Sequence, residues 1–274
     1  MVTSRGGTRA TDLRQPTGRL VRGLDGLDRR GPGAGSYCVP VSSLPVSAVL
    51  ATWLDAVRAG HVGPDDLADA VRGEDPRHLV VDLPERGVTE LVELPGALRG
   101  PLSLALPVPG DLTGLSGPPP LNHAALEAGQ AVLAGSVALV PELDARSVVW
   151  RAHAAAPAPY VDERESASEL RLALATVTQR LVDLDVASWS PEVPDLLMNL
   201  RHRPALPLPP VLDPRRRETL ERAALCLDVV EAARADEGGA LSTHEVARRR
   251  EALADLDRAA RRAVVGACTG RHDR

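Results

Sequence analysis

Four side chains carry the chemistry this sequence offers most directly. Asp82 and Asp111 follow two apolar runs that read as strands, and His123 and Glu127 lie four residues apart on a segment that reads as a helix. A four-residue step puts two helical side chains on one face. Carboxylates at strand ends beside that pair would make an acid/base group for hydrolase-like chemistry, or a metal site. Beyond the residue types, the signal is thin. There is no H-E-x-x-H and no second His at ligand spacing on the same segment, so no metal or other cofactor is expected. The nucleophile-elbow frame G-x-S-x-G is absent as well. The residue pattern therefore leans away from an enzyme.

The second candidate is the stretch from Pro109 to Asn122. Pro109-Gly110-Asp111 leaves the second predicted strand, Gly114, Gly117 and Pro118 to Pro120 follow, and Asn122 is placed to cap a helix. Ligands of open α/β sheets gather outside the carboxyl ends of the strands, and a helix N-terminus offers N–H groups to an anion. Gly110, Asp111 and Asn122 are thus the expected contacts to a small anionic ligand. Arg201 and Arg203, in the cluster Arg201-His202-Arg203, add a fork suited to phosphate or carboxylate. The glycine spacing matches neither dinucleotide fingerprint nor P-loop, and the chain has no Lys to serve the latter. Trp150 and Tyr160 flank the junction between the two halves of the chain, another place where pockets form.

These residues need elements to position them. Ser43 begins a helix to Ala59, with Val46, Val49, Leu50, Trp53, Leu54 and Val57 on one face. Gly63-Pro64 opens a short helix to Val71. His78 to Leu83 reads as a strand, 88–98 as a helix whose Val88-Thr89 start also suits a strand, Leu102 to Val108 as a strand, and Asn122 to Ala134 as a helix. Val137 to Val140 and Ser147 to His153 read as further strands. The alternation over 75–155 predicts an α/β layer with parallel order. After Pro157-Ala158-Pro159 the period changes. Asp162-x-x-Glu165 starts a long helix whose seam is Leu170, Leu174, Val177, Leu181 and Leu184. A short helix is expected over 190–200, then helices from Asp213-Pro214 to Ala235 and from Ser242-x-x-Glu245 to Val264, with Gly238-Gly239 between them.

Composition bounds the rest. The 274 residues are 44% hydrophobic and 25% charged, ordinary usage for a folded chain with a sizeable core. There is no Lys, Ile or Phe, so the core must be built from Leu, Val and Ala with Trp53, Trp150 and Trp189. Residues with AT-rich codons are the depleted ones, which points to a high-GC bacterial genome. Arg clusters are discounted accordingly, because Arg stands where Lys would have served. Net charge is −5, which argues against nucleic acid as a partner. Three cysteines, Cys38, Cys226 and Cys268, form no C-x-x-C and predict no disulfide framework. With no apolar leader and no long uncharged apolar run, the expectation is a cytoplasmic protein without a membrane span. Residues 1–35 hold seven Arg and three Asp, dense Gly and no apolar period. Such a segment cannot offset its ordering entropy. It reads as a disordered basic tail over 1–38, or as the product of a start codon set too far upstream.

Four stretches, Leu106-Pro-Val-Pro-Gly-Asp111, Leu121-Asn-His-Ala-Ala-Leu-Glu-Ala-Gly129, Pro191-Glu-Val-Pro-Asp-Leu-Leu-Met-Asn-Leu-Arg201 and Asp236-Glu-Gly-Gly-Ala-Leu-Ser242, carry a resemblance. They resemble an uncharacterised family of actinobacterial proteins over roughly residues 40–268. The resemblance implies no activity.

The sequence thus predicts an α/β domain over 39–156 followed by a helical bundle unit over 160–270, or one domain merging both. The function expected first is non-catalytic binding of a small anionic ligand or a protein partner at the junction and the 109–122 loop. The alternatives are a hydrolase-like enzyme using Asp82, Asp111, His123 and Glu127, and a helical protein–protein adaptor.

Overall fold

A computed structural model describes residues 44–73, 77–144, 147–183, 204–235 and 243–269. The N-terminal half holds α1 (Val46–Arg58), α2 (Pro64–Arg72), β1 (Arg77–Val81) and a 3-10 turn (Leu91–Glu93) running into α3 (Leu94–Ala97). β2 (Leu102–Ala105), α4 (Pro119–Ala128), β3 (Ala131–Ala134), β4 (Val137–Asp144) and β5 (Ser147–Ala154) complete it. Three long helices follow, α5 (Glu163–Asp183), α6 (Pro214–Ala235) and α7 (Thr243–Cys268). The architecture is an α/β layer followed by a helical region, as the sequence predicts. Among the described residues, no helix is long and apolar enough to cross a membrane.

The five strands lie in the order β1-β5-β4-β3-β2. Only β1 and β5 run parallel; every other pair is antiparallel. This corrects the parallel order read from the alternation of elements. The reason lies in the connections. Two residues separate β3 from β4 and two separate β4 from β5, and a two-residue loop can join only antiparallel strands. The helix predicted from Asn122 to Ala134 is divided for a related reason. Gly129 takes a left-handed φ of 68° and ends α4. The following Ala-Val-Leu-Ala run then pairs as β3, and short apolar runs do not reveal their state by periodicity. Residues 88–98 hold the Leu91–Glu93 turn and α3, with Thr89 bridged to Val80 on β1.

The pleat sends alternate side chains to opposite faces. Leu102, Leu104, Val132, Leu139, Val148 and Trp150 enter the large core, together with Leu50 and Leu54 of α1 and Leu256, Ala260 and Val264 of α7. Ala105, Ala131, Leu133, Ala138 and Val140 face the other way, onto Leu121 and Ala125 of α4. α1 is sandwiched between the sheet and α7, so its Ser47, Ala48, Leu50, Ala51 and Leu54 are all enclosed.

The helical region keeps its predicted starts. The Oδ1 of Asp162 accepts the Glu165 N–H at 2.8 Å, and the Oδ1 of Asp213 accepts the Arg215 N–H at 2.9 Å. Each satisfies a donor that the first helical turn leaves orphaned. α7 lies between α5 and α6. On α5 the predicted seam is half right. Leu170 and Val177 are buried, but Leu174 is 37% exposed, and Ser166 and Ala173 take the inner positions. The remaining seam residues, the 190–200 helix, Ser43, Ser242, Gly238-Gly239, Cys38 and the 1–38 tail lie outside the described residues or side chains.

Candidate functional site

The four predicted acid/base residues are not brought together. Asp82 follows β1 at one edge of the sheet, whereas Asp111 lies beyond β2 at the other edge. Four strand spacings separate the edges by roughly 19 Å. The two strands also run in opposite directions, so the carboxylates leave opposite ends. Asp82 accepts from the Arg151 Nη1 at 2.6 Å, while the Arg151 Nε donates to Glu142. Arg151 holds the Glu142 carboxyl below its usual range, with the field of His153 a weaker cause. Asp111 closes a local turn by accepting the Thr113 N–H and hydroxyl, and its other oxygen pairs with Arg261 at 3.4 Å. His123 and Glu127 do share a face, 3.7 Å apart, but both stand in solvent. Among the described residues, no group of three His, Cys, Asp or Glu side chains could hold a metal.

The 109–122 loop closes onto the sheet. At Gly114, φ is 88° and an added Cβ would lie 2.4 Å from the Leu104 carbonyl oxygen. Leu115 is buried, and Ser116 donates to the Pro157 carbonyl. The anion-binding role expected of the α4 start also lapses. Pro118 is the cap and Pro119 and Pro120 the first helical residues, so the leading donors are missing. Asn122 lies inside the helix and its N–H is bonded to the Pro118 carbonyl. Gly110 sits exposed at the tip of the β-turn bridging Val108 and Asp111. Arg201 and Arg203 lie outside the described residues. Trp150 is fully buried and donates through Nε1 to the His78 Nδ1 at 3.2 Å, whereas Tyr160 is 74% exposed.

A different place gathers polar groups. A cleft of about 200 Å³ lies between the last turns of α1 and the segment that enters α6. Thr52, Asp55 and His61 line one side, Asp213 and Arg216 the other. Ala56, Ala59, Pro209, Val211 and Leu212 supply apolar walls. The Arg216 side chain is 9% exposed. Its Nε donates to the Ala267 carbonyl at the end of α7 at 2.6 Å, and its Nη1 to the Asp55 Oδ2 at 3.1 Å. A guanidinium at a helix C-terminus also meets the negative end of the helix dipole. The third nitrogen, Nη2, is buried without an acceptor. Asp55 keeps its carboxylate 36% exposed. Near the end of α7, burial pushes the Cys268 thiol up to about 12, so it stays protonated.

Sequence reading missed this cleft because its partners come from separated segments. One signal was present. Asp55 is a carboxylate between Leu54 and Ala56 on a helix otherwise apolar through this stretch, and a charge in that position needs a partner.

Fold and cleft define an α/β protein with a helical C-terminal region and a small polar cleft where the two meet. The Rv1486c-like protein family matches the chain through both of its domains, the N-terminal domain over residues 47–164 and the C-terminal domain over 164–265. The chain belongs to this family. It is similar to "Uncharacterized protein Rv1486c" of Mycobacterium tuberculosis H37Rv, with 32% identity over 124 residues, covering 35% of this chain and 43% of that protein. It is also similar to "Uncharacterized protein ML1804" of Mycobacterium leprae, with 30% identity over 133 residues, covering 35% and 45%. The chain thus spans less than half the length of these relatives. They are actinobacterial proteins whose names assign no activity. No solved structure matches the chain.

Proposed function

We propose that this protein is a non-catalytic binding protein that holds a small molecule bearing an anionic group in the cleft between α1 and the start of α6. The observation that carries the reading is the Arg216 guanidinium. It lines the cleft as its one described guanidinium, held in place by the Ala267 carbonyl and Asp55. The cleft also draws on both family domains, and ligand sites favour such boundaries. The separation of Asp82, Asp111 and the His123–Glu127 pair supports binding over catalysis. Two buried free thiols, Cys226 and Cys268, fit a reducing cytoplasm.

Native mass spectrometry of the full chain from its own host tests this. The expected result is a retained small molecule that the Ala59→Trp variant, with its cleft filled, no longer carries. A ligand-free wild type overturns the reading. A ligand-free hetero-complex would instead favour a second reading, a protein adaptor, which rests on Leu172 standing 70% exposed on α5.

A further inference from the structure

The chain that leads into α6 presents a face the cleft does not use. Residues 204–210 read Pro-Ala-Leu-Pro-Leu-Pro-Pro. Proline fixes its own φ at about −65° and pushes the residue before it toward extended backbone. Neither helix nor strand forms here. Such a chain favours polyproline II geometry, whose three-residue turn puts positions i and i+3 on one side. Burial follows that period from Pro204 to Pro207. Pro204, Ala205 and Pro207 are exposed, whereas Leu206 packs against the core. After Pro207 the chain bends, with the Leu208 N–H donating to the Leu206 carbonyl at 2.7 Å, and Leu208 is buried.

The strip is held from behind. Trp53 of α1 donates its indole N–H to the Pro207 carbonyl at 2.8 Å, and the Arg217 Nη2 donates to the Pro209 carbonyl at 2.7 Å. Among the described residues, nothing donates to the carbonyls of Pro204 and Ala205. Two proline rings and two open acceptors therefore face solvent on a chain already ordered by its inner side. Such pre-ordering spares much of the entropy that a free peptide loses on binding.

We propose that Pro204-x-x-Pro207 is a docking site for a partner protein whose groove is lined by aromatic side chains. Aromatic faces fit proline rings, and an indole or phenol donor fits the open Ala205 carbonyl; P-x-x-P segments are recognised in this way. The Trp53–Pro207 hydrogen bond is the same pairing made within this chain, on the inner side of the strip. The strip carries no charge, so a nucleic acid or an ionic partner finds nothing to pair with. Residues 204–207 do not line the cleft, so this site stands apart from the small-molecule reading.

Photo-crosslinking of the full chain in its own host tests this, with p-benzoylphenylalanine in place of Ala205. The expected result is a crosslink to a different protein, through a peptide that carries clustered Trp, Tyr or Phe. Pro204→Ala and Pro207→Ala, made together, keep every carbonyl and should lower the crosslinked yield by about tenfold, the loss of one hot-spot contact. Pro204→Ala alone, at an exposed residue without a described hydrogen bond, should lower it in the same direction if the pair of changes disturbs the melting temperature. An absence of crosslinking at position 205 overturns the proposal. So does a crosslink to another copy of this chain, to lipid, to nucleic acid or to a peptide without aromatic residues. A yield that the proline variants leave unchanged overturns it as well.

Discussion

Arg216 reaches across 161 positions of sequence to hold Asp55, Nη1 to Oδ2 at 3.1 Å. The contact fastens the first helix of the α/β layer to α6, while the same guanidinium holds the last turn of α7 through the Ala267 carbonyl. One buried side chain thereby ties three helices, and the cleft exists where they meet. Removing one partner of a buried ion pair costs about 3–5 kcal/mol, because the other is left uncompensated. Arg216→Met should destabilise the protein by about 3 kcal/mol in urea unfolding. Asp55→Asn, on a half-exposed carboxylate that leaves the Ala267 contact in place, should cost only about 1 kcal/mol. Equal costs would show that the Ala267 contact contributes nothing.

Arg261 is a second tie. Its Nη1 donates to the Leu106 carbonyl at 3.0 Å and pairs with Asp111, and its Nε pairs with Asp257 on its own helix. Asp111 is thus a fastening of the 108–111 turn to α7. Arg261→Leu should cost about 3 kcal/mol by the same argument, and Asp82→Asn, in a solvent-exposed pair, less than about 0.5 kcal/mol. A chemical denaturation series reads both, and a larger loss at Asp82 would contradict this assignment of roles.

Gly266 marks a close approach of α7 to the start of α5. A Cβ there would lie 2.4 Å from the Ser166 Oγ and 3.3 Å from the Asp162 carbonyl oxygen. Alanine is the better helix former by about 1 kcal/mol, but overpacking costs about 1–3 kcal/mol. Gly266→Ala should therefore lower stability modestly. Ser166→Ala combined with Gly266→Ala should restore most of the loss in a double-mutant cycle.

The Asp162 cap gives a pH signature. Its carboxyl is held below the usual value by the Glu165 N–H above all, with the Tyr160 hydroxyl adding to this. A depressed folded value means the contribution is present above the unfolded value, near 3.9, and is lost as pH falls through the folded one. Melting temperatures of wild type and Asp162→Ala should differ at pH 7, and the difference should shrink as pH falls below the unfolded value. A difference that stays constant as pH falls below that value would mean the cap acts without its charge.

Burial pushes the thiols of Cys226 and Cys268 up to about 11 and about 12. Only the thiolate reacts with alkylating agents. At pH 8 both should stay unmodified by iodoacetamide in the folded protein and react fully in guanidinium, as read by peptide mass mapping. Rapid labelling of Cys268 in the folded state would contradict its complete burial.

What the sequence by itself determined is the set of local features. The starts at Gly63-Pro64, Asp162 and Asp213, the strands around His78 and Trp150, and the inward face of α1 all follow from periodicity and capping, which act within a few residues. The division into an α/β layer and a helical region follows from the change of period near Pro157. The family resemblance was likewise carried by the residues. Tertiary structure alone decided which strand neighbours which, and so placed Asp82 and Asp111 at opposite edges of the sheet. It also decided that Asp55 meets Arg216 and that Asp111 meets Arg261, pairs separated by 161 and 150 positions. The physical reason is range. A cap or an apolar face is stabilised by atoms a turn away, whereas a long-range ion pair forms only after loop closure and core packing have fixed the chain on both sides. In a chain with 32 Arg and no Lys, composition cannot single out the one that ties three helices together.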